Sequence, residues 1–88
     1  MKLIIAILHD HDQDGVSHAL TSKNFRVTAI ASTGGFLRKG QTTMLVGVED
    51  DQLESALQVI RENLSPAPSP EMKRATIFVV KVDQYTHF

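Results

Sequence analysis

The apolar positions of this chain change their period as the sequence proceeds, and each change predicts an element. Leu3 to Leu8 is an unbroken apolar run of strand length, the pattern of a strand buried on both faces or nearly so. Asp10-His-Asp-Gln-Asp-Gly15 follows as loop and helix cap. Val16, Ala19 and Leu20 then fall at i, i+3 and i+4 and begin an amphipathic helix. That helix stops near Lys23 and Asn24, because Asn tolerates the left-handed backbone of a helix end. Val27–Ile30 and Thr42–Val48 are rich in β-branched residues and predict two more strands. Glu49-Asp-Asp51 caps the strongest helix of the chain, in which Leu53, Ala56, Leu57, Ile60 and Leu64 form one stripe. Ser65-Pro-Ala-Pro-Ser-Pro70 cannot continue that helix and reads as a stiff, extended linker. Ala75–Val82 is a last strand, and Asp83–Phe88 a short tail.

The order strand-helix-strand, strand-helix-strand is that of a split βαβ pair. It predicts an α+β, ferredoxin-like domain spanning residues 1–88, with a four-stranded antiparallel sheet and two helices on one face. Phe25 and Phe78 are expected in its core. The other sheet face has no covering element in the chain, yet Leu3–Leu8 and Ile77–Val82 are apolar at nearly every position. An apolar sheet face of this kind is an association surface, so an oligomer is expected, with Ile5 or Ile7 facing outward.

Composition narrows the function. The net charge is −1, so an anion site must be local, and broad attraction to nucleic acid is not expected. There is no cysteine, hence no disulfide framework, thiolate metal site or redox pair. The apolar opening is too short for a signal peptide or membrane span, which predicts a cytoplasmic protein with no membrane insertion.

The connection between the two central strands carries more chemistry than a turn requires. Ser32-Thr-Gly-Gly-Phe-Leu-Arg-Lys-Gly40 joins adjacent glycines, which let main-chain N–H groups approach an anion, to two cations and an aromatic ring. Arg26 and Arg38 bring planar guanidinium groups suited to phosphate, and Phe36 offers a face for a flat ring. Together they point to an anionic ligand with an aromatic base, set against an ordinary exposed loop.

Two other patterns compete. Asp10-x-Asp12-x-Asp14-Gly15 matches the opening of a calcium loop, but Thr21 stands where a bidentate Glu is needed, and a strand precedes it where a helix should. His9, His11 and His18, with Asp10 and Asp12 nearby, have the composition of a zinc site or a general base, set against surface histidines beside a loop. On that reading the protein is a small ferredoxin-like enzyme using His9 and His11.

Asn24-Phe-Arg-Val-Thr28, Ser32-Thr-Gly-Gly-Phe-Leu-Arg38, Gly40-x-Thr-Thr43 and Gly47-Val48, with the opening Lys2–Ile7 and the ending Ala75–Val79, Val82-Asp83 and Phe88, resemble the PII-like cyclic di-AMP receptor family over nearly the whole chain. The resemblance implies a non-catalytic signalling protein without a metal or other cofactor. It further implies a homotrimer of ferredoxin-like subunits that binds cyclic di-AMP in clefts between subunits and signals to a downstream protein. Carried over by position, Asn24, Arg26 and Thr28 line the cleft from the second strand. Gly35, Phe36 and Leu37 contact base and ribose; Gln41 and Gly47 complete the base pocket, with Phe78 packed nearby. Gln41 stands where the family typically has Asn, His87 where it usually has Gln, and the segment 65–74 is shorter than in the members it resembles. Alternatives that keep the trimer are another adenine nucleotide or a protein partner that reads the loop.

Overall fold

The computed structural model describes residues 1–33, 40–66, 73–84, 86 and 88. The chain runs β1 (Lys2–His9), α1 (Asp10–Ser22), β2 (Arg26–Thr33), β3 (Gln41–Val48), a 3-10 turn (Asp50–Gln52), α2 (Leu53–Glu62) and β4 (Ala75–Lys81). The sheet is antiparallel in the order β2-β3-β1-β4, which is the ferredoxin-like topology expected from the sequence.

Side-chain alternation divides the sheet into two unlike faces. Ile4, Ala6 and Leu8 of β1 and Met44, Val46 and Val48 of β3 point toward the helices and are buried. Val16 and Leu20 of α1 and Ala56, Val59 and Ile60 of α2 close over them, with Phe25 at the edge of this core. Leu53, Leu57 and Leu64 pack against it part-buried, so the predicted stripe of α2 is the one that docks, and Val59 joins it.

The opposite residues of the same strands form the open face. Ile5 lies between Leu45 of β3 and Phe78 of β4, and Leu3 between Gly47 and Val80. Both Ile5 and Ile7 are therefore outward and half-buried, and β1 is buried on one face only. The unbroken apolar run of β1 reflects two apolar faces, of which the described residues cover one. Phe78 is a correction to the expected core. Its pairing with Ile5 puts it on the open face of an edge strand, where it is 53% exposed.

The start of α1 differs from expectation as well. There is no loop at Asp10–Gly15; the helix begins at Asp10, directly after β1, and its N-cap His9 makes no side-chain cap. The acids placed there as caps have tertiary partners instead. Asp10 Oδ1 accepts the Thr42 hydroxyl from β3, and the buried Asp12 carboxylate accepts the Ser65 backbone N–H at 3.2 Å and its hydroxyl at 2.6 Å. The far end of α1 is as expected. Asn24 has φ 68°, and the bonds Asn24 N–H to Thr21 O (2.9 Å) and Phe25 N–H to Leu20 O (3.0 Å) make the paired reverse hydrogen bonds of a left-handed helix stop. Phe25 then drops into the core beside Leu20 and hands the chain to β2. At the entry to α2, Glu49 N–H donates to Gln52 Oε1 at 3.3 Å, so the capping signal acts on the 3-10 turn that feeds the helix.

Candidate ligand-binding site

The register of β2 on β3 decides where the polar candidates lie. Arg26 is opposite Gly47, and Thr28 is opposite Leu45, while Val27 between them faces Val46 and the core. Arg26 and Thr28 thus share the open face and are both exposed. Arg26 makes no ion pair among the described residues. Asn24 precedes them at the helix stop, exposed. Arg26, Thr28 and Gly47 share the open face near the β2 edge, and Asn24 lies two residues before Arg26.

Gly47 is informative because nothing inside the subunit demands it. A Cβ there would meet only the flexible end of Met1, Cε at 3.6 Å, an ordinary contact. The missing side chain leaves the position opposite Arg26 without a Cβ, and the packing of the described residues does not require that.

Gln41 lies elsewhere. It is the first residue of β3, six positions from Gly47, or about 20 Å at the rise of an antiparallel strand. Its cross-strand neighbours are Thr33 on β2 and His9 on β1. Phe78 is in the row Thr28–Leu45–Ile5–Phe78, three strand spacings or about 14 Å from Thr28. Within one subunit the structure gathers Arg26, Thr28 and Gly47, with Asn24 two residues before Arg26, and brings neither Gln41 nor Phe78 to them. Gly35, Phe36 and Leu37, with Gly34, Arg38 and Lys39, lie outside the described residues, as do Tyr85 and His87. β2 extends past the predicted Ile30 to Thr33, with a register shift between Ala29 and Ala31, so the loop is shorter than expected.

The histidines take ordinary positions. The rings of His9 and His11 stack with centroids 5.6 Å apart and planes 4° from parallel. His9 Nε2–H donates to the Lys73 carbonyl at 3.4 Å, and His11 Nε2 lies 3.7 Å from Asp12 Oδ1. His18 is exposed further along α1, where its carbonyl accepts the Ser22 hydroxyl. Among the described residues no three histidines or acids are placed to hold a metal ion. No helix among them is long and apolar enough to cross a membrane. A groove of about 480 Å³ on the helix side, between α2 and β4, is lined by Leu57, Ile60, Leu64, Ile77 and Val79 with Arg61, Lys73 and Arg74, and includes none of the candidate ligand residues.

Reasoning from the sequence missed the hydrogen bond that joins Asp10 to Thr42. The signal was present, because Thr42 is the one polar residue on a strand face otherwise made of Met44, Val46 and Val48.

Comparison with known proteins identifies the family and the fold. Residues 1–69 match the model of a family described as cyclic-di-AMP receptor. The chain is also similar to a protein of unknown function from Pediococcus pentosaceus ATCC 25745, known from its crystal structure. The two share 33% identity and a TM-score of 0.78 over 99% of this chain and 96% of that one.

Proposed function

Since this chain belongs to the cyclic-di-AMP receptor family, we propose that it is a cytoplasmic signalling receptor binding cyclic di-AMP in the clefts between subunits of a homotrimer. One observation supports assembly. The open sheet face carries Leu3, Ile5, Ile7, Leu45, Phe78 and Val80 with no covering element among the described residues. At about 25 cal/mol per Å², burial of a few hundred Å² of such a surface contributes as much as the net stability of a small domain.

The separation of the site residues carries the cleft reading. A single base pocket cannot use both Gly47 and Gln41, which stand at opposite ends of β3. Two subunits side by side can bring the Asn24–Arg26–Thr28–Gly47 cluster of one against the Gln41 end of the next, with Gly35, Phe36 and Leu37 contacting base and ribose. Arg26 then meets a phosphodiester through a charge-assisted hydrogen bond, and Thr28 and the Gln41 amide read the adenine edge. Phe78 likewise reaches a cleft only from a neighbouring subunit. The chemistry is binding, with no bond made or broken, and the bound state is what a downstream protein reads.

Titration calorimetry on the intact oligomer tests this. Cyclic di-AMP is expected to give saturable heat at one ligand per subunit and to be displaced by neither AMP nor ATP at equal concentration. An intact trimer giving no heat with cyclic di-AMP overturns the proposal, and displacement by ATP moves the ligand to another adenine nucleotide.

A further inference from the structure

Gln41 begins β3, where a sheet ladder ends and strands fray, yet the receptor reading needs its side chain held on the open face. The structure shows a further tie beside its ladder partners His9 and Thr33. The residues on both sides of Gln41 are bonded to one acid: Asp10 N–H donates to the Gly40 carbonyl at 3.2 Å, and the Asp10 carboxylate accepts the Thr42 hydroxyl. Thr42 is 2% exposed and turned to the helix side, with Gln13 Oε1 also within 3.3 Å of its hydroxyl. In a strand, neighbouring side chains point to opposite faces, so fixing Thr42 downward fixes Gln41 upward; a slip of one residue would exchange them.

We propose that Asp10 is a positioning residue for the ligand site, holding Gln41 toward the ligand by binding Gly40 and Thr42. The inference rests on the receptor reading above. It explains why a hydroxyl stands in a row of apolar residues, where Val would pack equally well and leave no polar group to satisfy. Asp12, two residues on, supplies the contrast. It is buried, it bonds Ser65 beyond α2, and it joins two parts of the helical layer with no link to Gln41.

The test measures cyclic di-AMP affinity by calorimetry beside thermal stability. Asp10→Ala and Thr42→Val are each expected to weaken binding about tenfold, one factor of ten per ~1.4 kcal/mol, with Asp10→Asn and Thr42→Ser restoring most of it because they keep acceptor and donor. In a Gln41→Ala background, Asp10→Ala should cause no further loss, since there is no side chain left to position. Asp12→Asn should lower the melting temperature and leave affinity unchanged. Two results overturn the inference: affinity unchanged in Asp10→Ala while stability falls, or the full tenfold loss persisting in the Gln41→Ala background. If the wild type gives no heat, the receptor reading fails separately. Amide exchange at residues 40–42 of the free protein then tests the clamp alone, and protection unchanged in Asp10→Ala overturns it.

Discussion

The two faces of this sheet are made by alternate residues of the same strands, and they differ in what completes them. Beneath the helices, Ile4, Leu8, Met44 and Val46 meet Val16, Leu20 and Ile60 of the same chain and lose nearly all contact with water. On the open side Leu3, Ile5, Ile7 and Leu45 are only half-covered by their neighbours, and Phe78 and Val80 remain 53% and 43% exposed. The covered face is apolar at its centre, with Thr42 toward one end of the strands and Lys2 and Lys81 at the other. The open face is apolar in the middle and changes to Asn24, Arg26 and Thr28 at the β2 edge. A face with an apolar centre and a cationic, hydroxylated margin suits a second protein surface at the centre and an anion at the border. The covered face makes the fold, and the open face is the one on which the proposed function depends.

Substitution of paired residues from the two faces separates these roles. Ile4→Ala opens a cavity in the core and should cost about 2–5 kcal/mol in chemical denaturation. Ile5→Glu, one residue away, should leave the helical signal in circular dichroism intact while light scattering shows the trimer dissociated, because a charge cannot be buried unpaired between subunits. A wild type that scatters as a stable monomer would remove the distinction between the faces.

Arg26→Ala tests the margin. Loss of a charge-assisted bond to phosphate should weaken cyclic di-AMP binding by about 1.5–3 kcal/mol and flatten its dependence on salt, since a charge pair is screened and stacking is not. Trimer stability should hardly change, because Arg26 is exposed and has no ion-pair partner among the described residues. If Arg26→Ala unfolds the trimer instead, the guanidinium is an interface residue, and the phosphate must be held by Arg38, Lys39 or main-chain N–H groups.

Much of this architecture was legible in the sequence because local rules and tertiary packing agree. The stripe Ala56, Leu57, Ile60 fixed the docking face of α2, and Asn24 marked the left-handed stop of α1. What was not legible depended on pairing across the chain. Phe78 reads as core by type, and only its register against Ile5 places it on the open face. Asp10 and Asp12 have the composition of helix caps, and partners 32 and 53 residues away claim their carboxylates. Gln41 and Gly47 look like members of one pocket when carried over by position, but the rise of β3 sets them far apart. Proximity in sequence gave the elements, while the assignment of side chains to a face needed the register.

Asn24 belongs to both roles, which makes it a finer probe. Its φ of 68° stops α1, a task glycine performs without strain, so Asn24→Gly should alter stability by no more than about 1 kcal/mol. Asn24 is exposed two residues before Arg26, and if its side-chain amide contacts ligand the same substitution should raise the Kd severalfold. Equal affinity in Asn24→Gly would make this residue a helix stop and nothing more.

The smallest expected effect lies at the edge where the two layers meet. Asp50, in the turn before α2, has its Oδ1 3.1 Å from the Met1 amino group and 4.0 Å from Lys2 Nζ at the start of β1. The hydrogen bond from that amino group, then the charges of Lys2 and of the amino group itself, hold its carboxyl below the ordinary value of 3.8. A carboxyl whose pKa is lower in the folded state binds protons more weakly there than in the unfolded chain. Its contribution is therefore complete above the unfolded value, and it is lost as pH falls through the folded one. Asp50→Asn should lower stability slightly at neutral pH, where the contribution is complete, and the two proteins should converge as pH falls below about 4. The carboxylate is exposed, and salt screens it, so the difference should shrink as ionic strength rises. Denaturation midpoints of wild type and Asp50→Asn, compared from pH 7 to pH 3 at low and high salt, would show it. Parallel curves across that range would mean that the Met1–Asp50 contact adds nothing to the union of β1 with the helical layer.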